Sequence, residues 1–146
     1  MTYRLMTISD YDAVYNLWIN TPGMGLNSVD DSRGGIEKFL KRNPDTCFVA
    51  VDNEKIVGII MAGNDGRRGY IYHTAVIPEF RGKHVAKNLV EKVLVALENE
   101  GITKVALVVF KGNQAGNGFW EKIGFTVRED LIYRNKSIAQ MERIDT

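Results

Sequence analysis

The stretch from Tyr70 to Gly101 constrains this chain most. Tyr70-Ile71-Tyr72-His73-Thr74-Ala75-Val76-Ile77 is a run of β-branched and aromatic residues, and so a strand. Pro78-Glu79-Phe80 ends it. Arg81-Gly82-Lys83-His84-Val85-Ala86 then opens a segment whose apolar residues Val85, Leu89, Val90, Val93, Leu94 and Leu97 recur at helical spacing, with Gly101 where a C′ glycine belongs. A strand that turns through a glycine and basic residues into a helix aims several unpaired N–H groups, and the positive end of the helix dipole, at one spot. That spot favours an anion. Gly82 leaves room, Ala86 is small, and Arg81, Lys83 and Lys87 add positive charge suited to a phosphate.

The charge balance makes this site local. With 19 basic and 18 acidic residues the net charge is +1, too little to drive binding to nucleic acid or an anionic membrane, and neither is expected as a partner. The N-terminus has no apolar signal-like region and no apolar run reaches the length of a membrane span, so a cytoplasmic protein is the default expectation. The length of 146 residues fits a single domain, 1–146. One cysteine, Cys47, excludes an intrachain disulfide framework and a Cys-based zinc site; among strand-like neighbours it reads as a buried thiol. No metal is expected.

Along the chain, residues 3 to 6 form a short strand, and Ser9 caps a helix with Tyr11, Val14, Leu17 and Trp18 on one face. Thr21-Pro22-Gly23 stops it. After a loop at Gly23 to Asn27, Asp30, Asp31 or Ser32 caps a second helix, with Ile36, Phe39 and Leu40 inward and Asn43-Pro44 at its end. Cys47 to Val51 and Ile56 to Ala62 read as an antiparallel hairpin, followed by the strand at Tyr70 to Ile77. Beyond the long helix come a strand at Val105 to Phe110, a helix from Gln114 to Ile123 closed by Gly124, and a last strand from Phe125 to Tyr133.

The turn at Arg81 to Ala86 resembles the [Gln/Arg]-x-x-Gly-x-[Gly/Ala] signature of the GNAT acyltransferase superfamily, matching at Arg81 and Ala86 and departing at His84, where the family has Gly. Asn113-Gln114-Ala115-Gly116-Asn117-Gly118-Phe119-Trp120-Glu121-Lys122-Ile123-Gly124-Phe125 is similar to that family's Asn-x-x-Ala-x-x-Phe-Tyr-x-x-x-Gly-Phe segment. The order of elements also matches over nearly the whole chain. The resemblance implies an α/β (α+β) GNAT fold: a mixed, mostly antiparallel sheet of six to seven strands, splayed in the middle and flanked by about four helices. It further implies acetyl-CoA as co-substrate, a small-molecule or peptide amine as acceptor, and a homodimer by family habit.

On this resemblance, cofactor contacts fall at Ala75, Val76, Ile77, Arg81, Gly82, Lys83, His84, Val85, Ala86, Lys87, Asn113, Phe119 and Trp120. The acceptor site, between the first two helices, their loop and the splayed strands, takes in Trp18, Met24, Leu26, Asn27 and Tyr72. Asp30 and Asp31 are either ammonium contacts or charges at a helix N-terminus. The Val76 amide would meet the thioester oxygen as an oxyanion donor. Two departures bear on the chemistry. Trp120 replaces the family's general-acid Tyr, and an indole N–H is too weak an acid for that role. The strand also lacks the Glu that many members carry. His73, whose unperturbed pKa is ~6.5, is the nearest titratable substitute as base, or else a core histidine. Tyr133 is a phenol able to replace the missing acid, or a plain surface tyrosine. The resulting expectation is an N-acetyltransferase working by direct attack on the thioester. A non-catalytic acyl-CoA sensor or docking module and a nucleotide-binding α/β domain are the alternatives.

Overall fold

The computed structural model describes residues 1–146. In chain order the elements are β1 (Thr2–Leu5), α1 (Tyr11–Ile19), β2 (Leu26–Asn27), α2 (Arg33–Arg42), β3 (Phe48–Asp52), β4 (Lys55–Asn64), β5 (Gly69–Val76), α3 (Val85–Asn99), β6 (Val105–Ala106), α4 (Gln114–Lys122) and β7 (Arg143–Ile144). Short 3-10 turns at Ile8–Asp10 and Pro78–Phe80 precede α1 and α3. The main sheet runs β1-β3-β4-β5-β6, antiparallel except for the parallel β5–β6 pair; β2 and β7 form a separate ladder. The seven strands are thus divided five and two, with four α-helices around them.

Helices cover both faces of the sheet. Val57, Ile60, Ile71 and Val76 pack with Leu89, Val93 and Leu97 of α3 and with Trp120 on one side. Ile59, Met61 and Ala75 pack with Val14 and Trp18 of α1 and Ile36 of α2 on the other. β4 lies between these layers, so Val57 to Gly63 is buried without interruption, which is why its sequence is an unbroken apolar run. Asn53 and Glu54 take positive φ (48° and 64°) and close the β3–β4 hairpin in two residues.

Two helix starts differ from or sharpen the sequence reading. Ser9 is not the cap of α1: it lies inside the first 3-10 turn, and Asp10 is the residue before Tyr11. The Asp10 carboxylate accepts from the Thr7 amide at 2.9 Å and from both terminal nitrogens of Arg4 at 2.8 Å, an arrangement a serine hydroxyl cannot provide. The Arg4 hydrogen bonds hold its pKa below the usual carboxylate value. At α2 the cap is Ser32, which accepts from the Gly35 amide at 3.1 Å. That leaves Asp31 free for another partner.

The largest departure is at the C-terminal side. The strand expected at Val105 to Phe110 pairs only through Gly69↔Val105 and Tyr70↔Ala106. The segment expected as a last strand, Phe125 to Tyr133, joins no ladder, and its Val127, Leu131, Ile132 and Tyr133 are exposed. β-branched composition gives a tendency to extend, but a strand exists only where a neighbour presents backbone groups in register. The closing ladder is instead β7, which pairs Ile144 with Leu26 and Arg143 with Asn27.

Candidate functional site

A cleft of about 940 Å³ opens where β5 and β6 part company after two residue pairs. Its walls are Tyr70 to Thr74, Leu107 to Phe110, the loop before α2 with Asp30 and Asp31, the α2 residue Phe39, and Tyr133. β5 is bulged here: Ile59 pairs with Ala75 and Met61 with Tyr72, so His73 and Thr74 together face Ile60. The bulge breaks the alternation of a regular strand, which would put Ile71, His73 and Ala75 on one face. Ile71 packs on the α3 side, whereas Tyr72 and His73, adjacent in sequence, both meet the α1/α2 side. Tyr72 packs edge-on against Phe39 with centroids 5.6 Å apart.

His73 has a definite partner. Its Nε2 lies 2.6 Å from Asp31 Oδ1, and Asp31 Oδ2 accepts from the Asn27 amide at 2.8 Å. Both side chains are largely buried, and the Trp18 ring packs edge-on against the imidazole at 5.0 Å. Tyr11 Oη donates to the Asp31 carbonyl at 2.7 Å and fixes the loop to α1. Asp31 was weighed from sequence only as an ammonium contact or a helix-terminal charge; its pairing with a residue 42 positions away carries no local signal.

Tyr70, Tyr72 and Tyr133 gather along one wall. Burial, followed by the neighbouring Tyr133 and Tyr72, pushes the Tyr70 phenol up to about 12; burial and then Tyr133 and Asp30 raise Tyr72 as well. Tyr133 is largely exposed at the rim.

At the other end of β5, the turn into α3 holds the unpaired donors expected of it. None of the six amides from Gly82 to Lys87 donates to another group of the protein, whereas the flanking Arg81 and Asn88 amides bond to Pro78 and His84 carbonyls. Gly82 (φ 73°) and His84 (φ 64°, ψ 17°) are both left-handed. The backbone at His84 therefore has the conformation glycine favours, and the departure from the family pattern changes the side chain alone. Arg81 is partly committed, its Nε donating to the Val76 carbonyl at 3.1 Å, and Lys83 Nζ sits 5.0 Å from the Phe80 ring centroid. Val85 is buried in the core, so only its backbone faces the turn; Lys87 continues the basic edge.

The Val76 backbone points the same way. Ile77 donates to the Val57 carbonyl at 2.9 Å, and antiparallel alternation then makes Val76↔Gly58 a non-bonded pair, with the Val76 N–H directed away from β4. Ala75 is buried against α1 and α2.

The remaining expected residues divide. Met24, Asn27, Asn113 and Trp120 line the cleft with Tyr72 and His73. Asn113 caps α4, its Oδ1 accepting from Gly116 at 2.9 Å; a Cβ at 116 would meet Asn113 Nδ2 at 2.6 Å, which accounts for glycine there. Trp120 stacks edge-on between Phe119 and Phe125. Trp18 and Leu26, expected at the acceptor, are core residues whose side chains do not line the cleft. No group of three or more His, Cys, Asp or Glu side chains converges on a point, and no helix is long and apolar enough to cross a membrane.

The bulged and splayed β5, the free amides at the start of α3 and the capped α4 together define an acyltransferase fold of the GNAT type. The chain matches the Acetyltransferase (GNAT) family over residues 11–125 and belongs to it. It is 35% identical to an acetyltransferase of Pectobacterium atrosepticum and 33% identical to one of Photorhabdus laumondii, each alignment spanning 97% of this chain and 99% of the relative. Its fold is similar to that of Ard1 from Thermoplasma volcanium (TM-score 0.75, 22% identity, 87% of this chain and 83% of the other). It is also similar to the PaiA N-acetyltransferase of Thermoplasma acidophilum in complex with coenzyme A (0.74, 16%, 87% and 90%) and to AAC(6')-Iy in complex with a CoA-linked acetylneamine analogue (0.70, 22%, 93% and 97%).

Proposed function

We propose that this protein transfers an acetyl group from acetyl-CoA to a primary amine of a small molecule or peptide by direct attack of the amine on the thioester. The observation that carries the reading is the run of six unpaired amides from Gly82 to Lys87, next to an opened strand edge. A pyrophosphate fits such donors, with Arg81, Lys83, His84 and Lys87 adding charge around it. The outward N–H of Val76, between Ala75 and Ile77 whose amides face β4, would meet the pantetheine arm on its way to the cleft, flanked by Asn113, Phe119 and Trp120. PaiA and AAC(6')-Iy were both solved with CoA-type ligands, which supports the assignment by analogy.

In this reading the cleft holds amine and thioester in reacting geometry, an effect worth ~7–11 kcal/mol of barrier. His73 accepts the ammonium proton, directly or through a water. The Val76 N–H stabilises the oxyanion as the C–N bond forms. As the C–S bond breaks, the proton lost by the bonded nitrogen passes to the leaving sulfur, with Tyr133 as donor at the rim. Met24, Asn27 and Tyr72 border the acceptor. The test is thiol release on mixing the protein with acetyl-CoA and a panel of amines, with mass detection of the acetylated product. Amine-dependent release is expected; CoA binding without release from any amine would favour a sensor.

A further inference from the structure

We infer that Asp31 is a positioning residue for His73: it holds the imidazole in the Nε2–H tautomer and leaves the Nδ1 lone pair as the base that faces the cleft. This rests on the acetyl-transfer reading above for its catalytic consequence, while the tautomer itself is a property of the protein alone.

The two ring nitrogens of His73 differ in their surroundings. Nε2 is 2.6 Å from Asp31 Oδ1, a distance for a charge-assisted hydrogen bond, and an ionised carboxylate only accepts. The ring must therefore keep its proton on Nε2. Nδ1 has no partner in the protein, yet it is not sealed from solvent: the single buried, unpartnered side-chain polar atom is Trp18 Nε1. Since His73 lines the cleft, the unprotonated nitrogen is available there. Trp18 packs on the ring edge and limits its rotation, and the Asn27 amide and Tyr11 hydroxyl fix Asp31 and its loop. This is the relation by which an outer carboxylate sets tautomer and orientation for an acting histidine.

The proton balance follows. The acceptor ammonium gives one proton to Nδ1 and becomes a neutral nucleophile. The imidazolium so formed keeps its Nε2–H on Asp31, whose negative charge stabilises it, and later returns the Nδ1 proton to solvent. Besides Asp31, the charged and titratable groups that line the cleft with His73 are Asp30 on the same loop, Lys38 and Arg42 from α2, Tyr70 and Tyr72 on β5 and Tyr133 at the rim, and Tyr11 of α1 bonds the Asp31 carbonyl.

The first test uses the wild-type protein with no ligand. Long-range proton–nitrogen NMR of the imidazoles, with His84→Gly to assign the only other histidine, should show His73 protonated at Nε2 and bare at Nδ1 at pH 8. A wild-type His73 protonated at Nδ1 overturns the inference and leaves the proposed function standing. The second test is Asp31→Asn: the Asn27 amide takes the one remaining side-chain oxygen, so the Nδ2 amide faces Nε2, donates to it and moves the ring proton to Nδ1. With an amine identified by the panel, kcat should fall on the order of 100-fold, with CoA affinity unchanged and the acidic limb of the pH–rate profile altered. A folded Asp31→Asn enzyme with the wild-type profile and kcat overturns the inference; absence of amine-dependent release by the wild type overturns the proposed function alone.

Discussion

Gly34 and Gly35 are neighbours in the first turn of α2, and the same substitution should have opposite effects at the two. A Cβ at Gly34 meets nothing within 4 Å; a Cβ at Gly35 would stand 2.4 Å from both the Val29 and Asp30 carbonyl oxygens. Those are backbone atoms, which cannot rotate away, and they belong to the loop that carries Asp31. Gly34→Ala gains helix propensity, up to about 1 kcal/mol of stability. Gly35→Ala gains the same propensity but incurs an overpacking cost of about 1–3 kcal/mol, and the contact is at the severe end of that range. The two variants should therefore differ by about 2–3 kcal/mol. For a chain of this length a kcal/mol corresponds to roughly 3 °C in Tm, so the gap should be roughly 6–9 °C by calorimetry or urea unfolding. Because relief of the clash moves residues 29–31, Gly35→Ala should also lose acetyl transfer out of proportion to its stability. Equal Tm for the two variants would refute the close packing of this loop on α2.

The turn residue His84 gives a second contrast. His84→Gly removes a left-handed penalty of about 1–2 kcal/mol, offset by glycine entropy of about 0.5–1 kcal/mol, so unfolding should show unchanged to slightly higher stability. His84→Glu places a carboxylate beside a bound pyrophosphate and should weaken CoA by ~10- to 100-fold in a calorimetric titration. Asp10 titrates below its unfolded value because of Arg4, so its contribution is present above about pH 4 and is lost as pH falls through the lowered folded pKa. Urea midpoints measured downward from pH 5 should drop less steeply in Asp10→Asn, itself about 1–2 kcal/mol less stable at pH 7. Burial pushes the Cys47 thiol up to about 12. The unfolded thiol ionises from about pH 8.5 and the folded one does not, so stability should fall as pH rises from there towards 12, by at most about 1.4 kcal/mol per pH unit. Native Cys47 should also resist thiol reagents until the chain unfolds.

Much of the frame was legible because it depends on local pattern. The 3.6-residue spacing of Val85 to Leu97, the Gly101 stop and the hairpin of the two apolar runs Cys47 to Val51 and Ile56 to Ala62 are each settled within a few residues of themselves, and the structure has them there. The free amides at Gly82 to Lys87 follow from a helix start without a capping side chain, and that too is local. What sequence missed is what distant segments decide. Phe125 to Tyr133 has strand composition but no neighbour in register. Ser9 has the chemistry of a cap, but the chain is already in a 3-10 turn there, begun at Thr7 and held by Asp10, whose carboxylate takes the Thr7 amide and Arg4 from β1. Regular strand alternation along Tyr70 to Val76 fails at one bulge that no local residue announces, and at that bulge His73 meets Asp31. Trp18 shows a helical pattern read correctly as apolar face and wrongly extended to the acceptor: the periodicity identifies the buried side of α1 without saying what lies against it.

The central claim is that acetyl-CoA lies along the outer edge of β5 with its pyrophosphate on the start of α3. Titrating ¹⁵N-labelled protein with CoA and following backbone amides tests it most directly. Saturable shifts should concentrate at Gly82 to Lys87 and Val76, with Asn113 and the Trp120 indole following as the pantetheine arm engages. Saturable binding that leaves the amides from Gly82 to Lys87 unmoved would contradict it.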